Sequence, residues 1–472
     1  MLAYFRERQP LVLAAAATVA ASAWATSIAY LSPRFGTAAP VVLLVASVLP
    51  LLAVAIFVYP PAGPILVFAT FPIASVHIGG PSWLQLPEVT VVAVATIIGL
   101  RRLAVGQLPL AWAPALVWPL ALVGWALLVL PSALDGTLGI KQVAQLLFGL
   151  VFVCSVLAAC RDTDDVRRVL GGLVGVATFI VILGLASRGA SHLTARYSGE
   201  QVSGRFQGSF DQPNQIGSFC ALATLTAIGL AFGARGPRAR LAATLALPIL
   251  IVGLALSLSR GAWIGSLLAC AYLLVSLAQA RRAAALLAVP IVFVVLLIAL
   301  TQSTKPEIEV VKARASVITT RSPYDSRSAI YAEAKREILE KPLTGEGPGN
   351  FPVASLRATS EASTVAALHA HDIWLTWAAE CGLPAAAIIA AFCLALARAG
   401  GRAKRAARDR RDRALVAGII ASLIALLGQG FVDYVFRNEV LFLALWALIA
   451  ALLVADRERR APVSLDQAPA VD

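Results

Sequence analysis

Two of the chain's four histidines stand together in His369-Ala370-His371-Asp372, where a polar segment gives way to an apolar run. Imidazole titrates near neutral pH, so His371 could take the proton from an attacking hydroxyl while Asp372 or a loop carbonyl orients its ring. The same pair, with Trp374 close behind, could equally be hydrogen-bonding side chains at a membrane interface, where His and Trp are at home. No third ligand stands at a spacing that suits a metal, so none is expected. His369 and Trp374 are read as supporting residues around His371.

Three arginines are the other candidates. Arg260 lies in Ser257-Leu258-Ser259-Arg260-Gly261, between two apolar runs. It is either a side chain snorkelling to the interface or a functional charge, and its guanidinium fork suits phosphate oxygens. Arg205 opens Arg205-Phe206-Gln207-Gly208, shortly before Pro213-Asn214, a bent lead-in to a helix whose N-terminus could receive an anion or simply be capped. Arg327, after Asp325-Ser326, reads by itself as a solvated charge.

The elements that must hold these residues are membrane spans. Of the 472 residues, 59% are hydrophobic and 14% charged. The apolar runs are of helix-spanning length, so the expected fold is an all-α polytopic bundle of about 12–14 transmembrane helices. They fall at about 11–32, 38–58, 63–77, 88–100, 110–131, 142–160, 169–187, 213–234, 241–258, 261–279, 284–300, 371–397, 414–431 and 438–455. The pieces 63–77 and 88–100 are short enough to be re-entrant or tilted. The first run follows Arg6 and Arg8 and is read as an uncleaved helix. The six cysteines sit in or beside apolar runs as buried free thiols.

Despite a formal charge of +13, no nucleic-acid partner is expected, because the basic residues are spread over short loops between spans. Most of them fall on one side of the bundle, the densest being the run from 398 to 413. The positive-inside rule makes that side the cytoplasm, with both termini there. The long segment 301–370 then faces the periplasm or exterior, as do Arg205, Arg260, Arg327 and His371. Within it, Ile330, Ala334 and Ile338 recur at helical spacing over 327–341, and Pro342 stops the helix. The glycines and prolines of 342–352 follow as a turn-rich loop, roofing a site open to water. The resulting organisation is 1–187, N-terminal spans; 188–300, central spans with the arginine motifs; 301–370, a periplasmic loop; 371–455, C-terminal spans; and 456–472, a cytoplasmic tail. Three guanidinium groups and an imidazole on one face suit a lipid-linked diphosphate donor and a hydroxyl acceptor.

The ordered set Arg205…Gly208…Pro213-Asn214, Ser259-Arg260-Gly261, Asp325-Ser326-Arg327…Pro342-Leu343-Thr344-Gly345-Glu346-Gly347-Pro348-Gly349-Asn350-Phe351 and His371-Asp372-Ile373-Trp374…Glu380-Cys381-Gly382 resembles the O-antigen ligase and polymerase family of bacterial envelopes. The resemblance implies an inner-membrane glycosyltransferase moving a preassembled O-antigen from undecaprenyl diphosphate to a periplasmic acceptor hydroxyl, which in the ligases belongs to lipid A-core. It implies an inverting, metal-independent reaction without cofactor, with His371 as general base and Arg205, Arg260 and Arg327 on the diphosphate. His369, Asp372, Asn214 and Trp374 then support that centre. Family members commonly carry asparagine after the histidine, so Asp372 is a departure, one that could raise the imidazole pKa or orient the ring.

Three rivals stand beside the ligase. An O-antigen polymerase would extend the glycan itself. A protein O-oligosaccharyltransferase would glycosylate serine or threonine, and such members generally carry a further soluble C-terminal region. A non-enzymatic transporter of the lipid-linked glycan should show an inverted repeat with broken helices. No such repeat is visible.

Overall fold

The computed structural model describes residues 39–74, 84–187, 194–197, 200–203, 206–277, 327–357 and 369–458. Two compact units are separated near residue 62. The first contributes α1 (Ala39–Val58). The second holds α2 (Ala62–Ala69), α3 (Leu86–Ala104), α4 (Val117–Val129), α5 (Gly136–Ala159), α6 (Thr163–Ser187), α7 (Pro213–Gly233), α8 (Pro237–Leu256), α9 (Arg260–Ser276), α10 (Arg327–Glu340), α11 (Phe351–Arg357), α12 (Ile373–Ala406), α13 (Arg410–Gly430) and α14 (Glu439–Glu458). This is an all-α membrane protein. Among the described residues, eight helical segments are long and apolar enough to cross a bilayer, and three shorter apolar ones accompany them. The expected runs 11–32 and 284–300 lie outside the described residues.

The sequence pattern needs correcting in three places. The short run 88–100 lies inside the 19-residue helix α3, which its charged ends, Glu88 in the first turn and Arg101 and Arg102 in the last, hid from a hydropathy count. The run 371–397 extends into a 34-residue helix. Thr194–Tyr197 and Glu200–Ser203 form an antiparallel hairpin, β1 and β2, between the apolar runs 169–187 and 213–234.

Helix α7 is the axis of the second unit, with nearly all of its apolar window buried. It packs on α6, α8, α9 and α13. Its crossing with α13 is backbone against backbone: a Cβ on Gly418 would stand 2.5 Å from the Gly229 Cα, and one on Gly229 2.8 Å from the Gly418 Cα. The Thr226 and Ser422 hydroxyls bond at 2.9 Å beside that contact. In lipid, where apolar burial alone gives helices little reason to associate, close approach through small residues supplies the packing contacts. A Cβ on Gly265 of α9 would likewise meet the Ala425 carbonyl oxygen of α13 at 2.4 Å.

Polar links gather at both ends. At one end, Arg167 pairs with Asp412 and donates from Nε to the Gly233 carbonyl at 2.8 Å. Arg235 reaches Asp164 at 2.7 Å and Asp412 at 3.2 Å, and Arg402 makes a two-pronged pair with Asp456. These links join the start of α6, the residues just after α7, the C-terminal part of α12, the start of α13 and the end of α14. The starts of α7, α9, α12 and α14 and the end of α13 lie at the other end.

That other end is roofed by α10 and the glycine-rich loop after it. Helix α10 forms where the 327–341 periodicity predicts, and Ile330 and Ala334 pack with Phe351, Ala370 and Ala379. The loop lodges in a break of α12 at Gly382 (φ 76°), two residues before Pro384. A Cβ there would lie 2.1 Å from the Leu343 carbonyl oxygen. Backbone groups freed by the break find partners: Leu383 N–H donates to the Pro342 carbonyl at 2.8 Å, and Trp125 Nε1–H to the Cys381 carbonyl at 2.8 Å. Gly345, Gly347 and Gly349 all have positive φ. Glu380 accepts from Gly349 N–H at 3.1 Å and pairs with Arg437, while Asn350 bonds the backbone of Asp135 in both directions.

Gly418→Leu is expected to destabilise the bundle by about 1–3 kcal/mol or more through overpacking, whereas Gly124→Leu, with nothing within 4 Å of its added Cβ, leaves it unchanged. Thermal unfolding in detergent measures both, and equal melting points would contradict the α7–α13 contact.

Candidate functional site

Asp433 is the hub of the roofed end. It follows α13 in a loop whose Val432 and Asp433 N–H groups both bond the Gln429 carbonyl, and the residue is 3% exposed. Three side chains converge on it. Asn214 Nδ2, at the start of α7, donates to Oδ2 at 2.6 Å. His371 Nδ1 lies 2.8 Å from Oδ1, and His369 Nε2 lies 3.3 Å from the same oxygen. The imidazole centroids are 4.5 Å apart, and Tyr434 packs edge-on against His369.

Burial by itself would raise the Asp433 carboxyl, but the hydrogen bonds and charge of His369 and His371 carry it well below the usual carboxylate range. It is therefore an anion at neutral pH and acts only as an acceptor. Burial pushes His369 below its ordinary value against the opposing Asp433 bond. Because Asp433 can only accept, His371 faces it with Nδ1–H, and in the neutral form of the ring the lone pair is then on Nε2. The His371 side chain is 22% exposed, so the group facing Asp433 is fixed while the ring keeps access to solvent.

The backbone enforces this arrangement. His371 has φ of 53°, in the left-handed region that few non-glycine residues adopt. That conformation is held by Ala370, fully buried beside Ile330 and Phe351, and by the first turn of α12. Asp372 is committed to that turn, accepting from Trp374 N–H at 2.7 Å and Leu375 N–H at 2.9 Å. Burial raises its carboxyl, and those two backbone bonds oppose the rise. The ring-orienting role expected of Asp372 thus belongs to Asp433, 62 positions further on.

The other expected residues fall as follows. Ser259 caps α9 through its hydroxyl on Ala262 N–H, immediately before half-buried Arg260. Leu258, in the same turn, is the other non-glycine residue with positive φ among those described. A Cβ on Gly217 would touch Ser257 Oγ at 2.7 Å, and one on Gly261 would touch Val432 Cγ2 at 2.7 Å. Gly261, the residue after Arg260, therefore packs closely against Val432, the residue before Asp433. Arg327 begins α10, one turn before Ile330 in the cluster that includes Ala370. Arg205 lies outside the described residues. Its neighbour Phe206 donates its N–H to the Leu256 carbonyl at 2.9 Å, beside the Ser257–Arg260 turn. Trp374 packs against Phe431 with centroids 6.0 Å apart.

Asp433 and Arg437 were not singled out from sequence, and Glu380 was noted only as part of the motif after Trp374. The signal available was one acid and one arginine in the short apolar loop Phe431-Val432-Asp433-Tyr434-Val435-Phe436-Arg437-Asn438. The missing third ligand also proves to be a matter of folding: donor atoms of His369, His371 and Asp433 lie within 4.8 Å of one another.

Among known proteins, residues 221–390 match the family model described as O-antigen ligase. The segment is an O-antigen ligase family domain. It contains Arg260, Arg327, His369 and His371, while Asn214 lies before it and Asp433 after it. The resemblance carried by the ordered motifs is thereby borne out. No curated protein matches the chain. The match to that family over this segment points to lipid-linked glycans as the general substrate class.

Asp372→Ala removes the α12 cap and is expected to cost about 1 kcal/mol of stability. Thermal denaturation in detergent checks it, and a change no larger than that of an exposed-loop substitution would contradict the capping role.

Proposed function

We propose that the protein is an O-antigen ligase of the bacterial inner membrane, with both termini cytoplasmic and its reaction centre periplasmic. It transfers a preassembled glycan from undecaprenyl diphosphate to a sugar hydroxyl of lipid A-core. The observation that carries this reading is the 2.8 Å contact of His371 Nδ1 with Asp433, which leaves Nε2 as a base within a family-matched segment.

In the reaction, the acceptor oxygen attacks the anomeric carbon and forms the new glycosidic bond as the bond to the diphosphate oxygen breaks. His371 Nε2 takes the hydroxyl proton, and the imidazolium formed is stabilised by Asp433 through Nδ1–H. The diphosphate departs with the bonding electron pair. Arg205, Arg260 and Arg327 neutralise the charge that develops on it, which is where a preorganised site lowers the barrier most. One displacement inverts the anomeric configuration. Neither cofactor nor metal is needed for these steps.

The test is transfer by purified protein supplied with lipid-linked glycan and lipid A-core, with and without chelator. His371→Ala is expected to lower transfer by about 10²–10⁴-fold while the fold is retained, the range that loss of a general base costs. Full transfer by this variant would refute the base. If the glycan itself were extended and lipid A-core left untouched, the activity would be that of a polymerase.

Arg260→Ala is expected to abolish use of the lipid-linked donor, and Arg260→Lys, lacking the two-pronged fork, to restore it only in part. Unchanged turnover in the alanine variant would remove Arg260 from the diphosphate site.

A further inference from the structure

We infer that His369, His371 and Asp433 also bind a divalent ion of the zinc class, and that the bound ion silences the base. The silencing half of this inference rests on the role given to His371 above; the binding half does not.

A single general base requires one imidazole, yet two are placed on the same carboxylate oxygen. His369 is buried, and its Nδ1 has no hydrogen-bond partner among the described residues. The separations already approach those of a coordination sphere. Zinc bonds of about 2.0–2.2 Å to nitrogen and oxygen place neighbouring ligand atoms of a tetrahedron roughly 3.3 Å apart. Here Asp433 Oδ1 lies 2.8 Å from His371 Nδ1 and 3.3 Å from His369 Nε2, and the three atoms fall within 4.8 Å. Two imidazoles and one carboxylate select Zn²⁺ and its transition-metal neighbours over Mg²⁺ and Ca²⁺, which prefer all-oxygen sites. Asn214 on Asp433 Oδ2 at 2.6 Å supplies the outer hydrogen bond that orients a ligating carboxylate. The partial exposure of His371 leaves a route in for the ion and a position for water as the fourth ligand.

The consequence follows from the ring's tautomer. In the metal-free site, Nδ1 carries the hydrogen and Nε2 the lone pair. An ion on Nδ1 takes that nitrogen's lone pair, so the neutral ring must carry its hydrogen on Nε2. The proton changes nitrogen, no bond to carbon changes, and Nε2 can no longer accept from the acceptor hydroxyl.

Co²⁺ added to the detergent-purified full chain should produce visible ligand-field bands that Zn²⁺ abolishes and Mg²⁺ does not. His369→Phe and Asp433→Asn should each weaken Co²⁺ binding by more than the roughly 10–100-fold that loss of an outer-shell partner costs. X-ray absorption of the Zn²⁺-loaded wild-type chain should show imidazole and oxygen ligands without sulfur, a measurement independent of whether the variants fold. Absence of bands, a sulfur ligand, or unaltered affinity in folded variants would overturn the site. Transfer should fall as Zn²⁺ occupies the site and return with chelator; transfer indifferent to an occupied site would overturn the silencing. A chain that binds Co²⁺ as expected but never transfers glycan refutes the ligase reading and leaves the metal site standing.

Discussion

A single buried carboxylate ties the working end of this bundle together. Asp433 takes one bond from the start of α7 and two from the segment leading into α12, while its own backbone hangs from the last turn of α13. An anion with so little exposure is tolerated only when its lone pairs are met by strong donors, and here the donors come from separate parts of the chain. Helix packing, imidazole orientation and the left-handed backbone at His371 are therefore different views of one constraint.

The remainder of the fold lets those helix ends meet. Helix α7 can sit at the centre because glycine faces glycine where it crosses α13, and α9 is drawn onto α13 by the same device at Gly265. Charged pairs at the opposite end, led by Asp412 with Arg167 and Arg235, hold the loops there in register. With both ends fixed, small errors in tilt are not passed on to a site whose contacts are set within a few tenths of an ångström.

Much of this was legible in the sequence, where it was local. The apolar runs gave the spans, four-residue spacing gave α10, and Pro342 marked its end. The His369-Ala370-His371 cluster stood out because polar residues are scarce in this chain. Asp433 did not, since an acid in a loop between two spans acquires meaning only when folding brings it to residues 62 and 219 positions away. Asp372 was a decoy of the opposite kind, adjacent in sequence but turned by the helix start towards backbone amides. Helix α3 was under-read because charged residues at its ends carry it past the apolar stretch.

The seam between the glycine-rich segment and the interrupted α12 decides which parts of the roofed end can move. Leu383 N–H, Glu346 N–H and Gly349 N–H all spend their hydrogen bonds across that seam, and the Cys381 carbonyl spends its own on Trp125. Swinging the segment outward as one piece would break all of these bonds together. It is a fixed doorpost beside the start of α12.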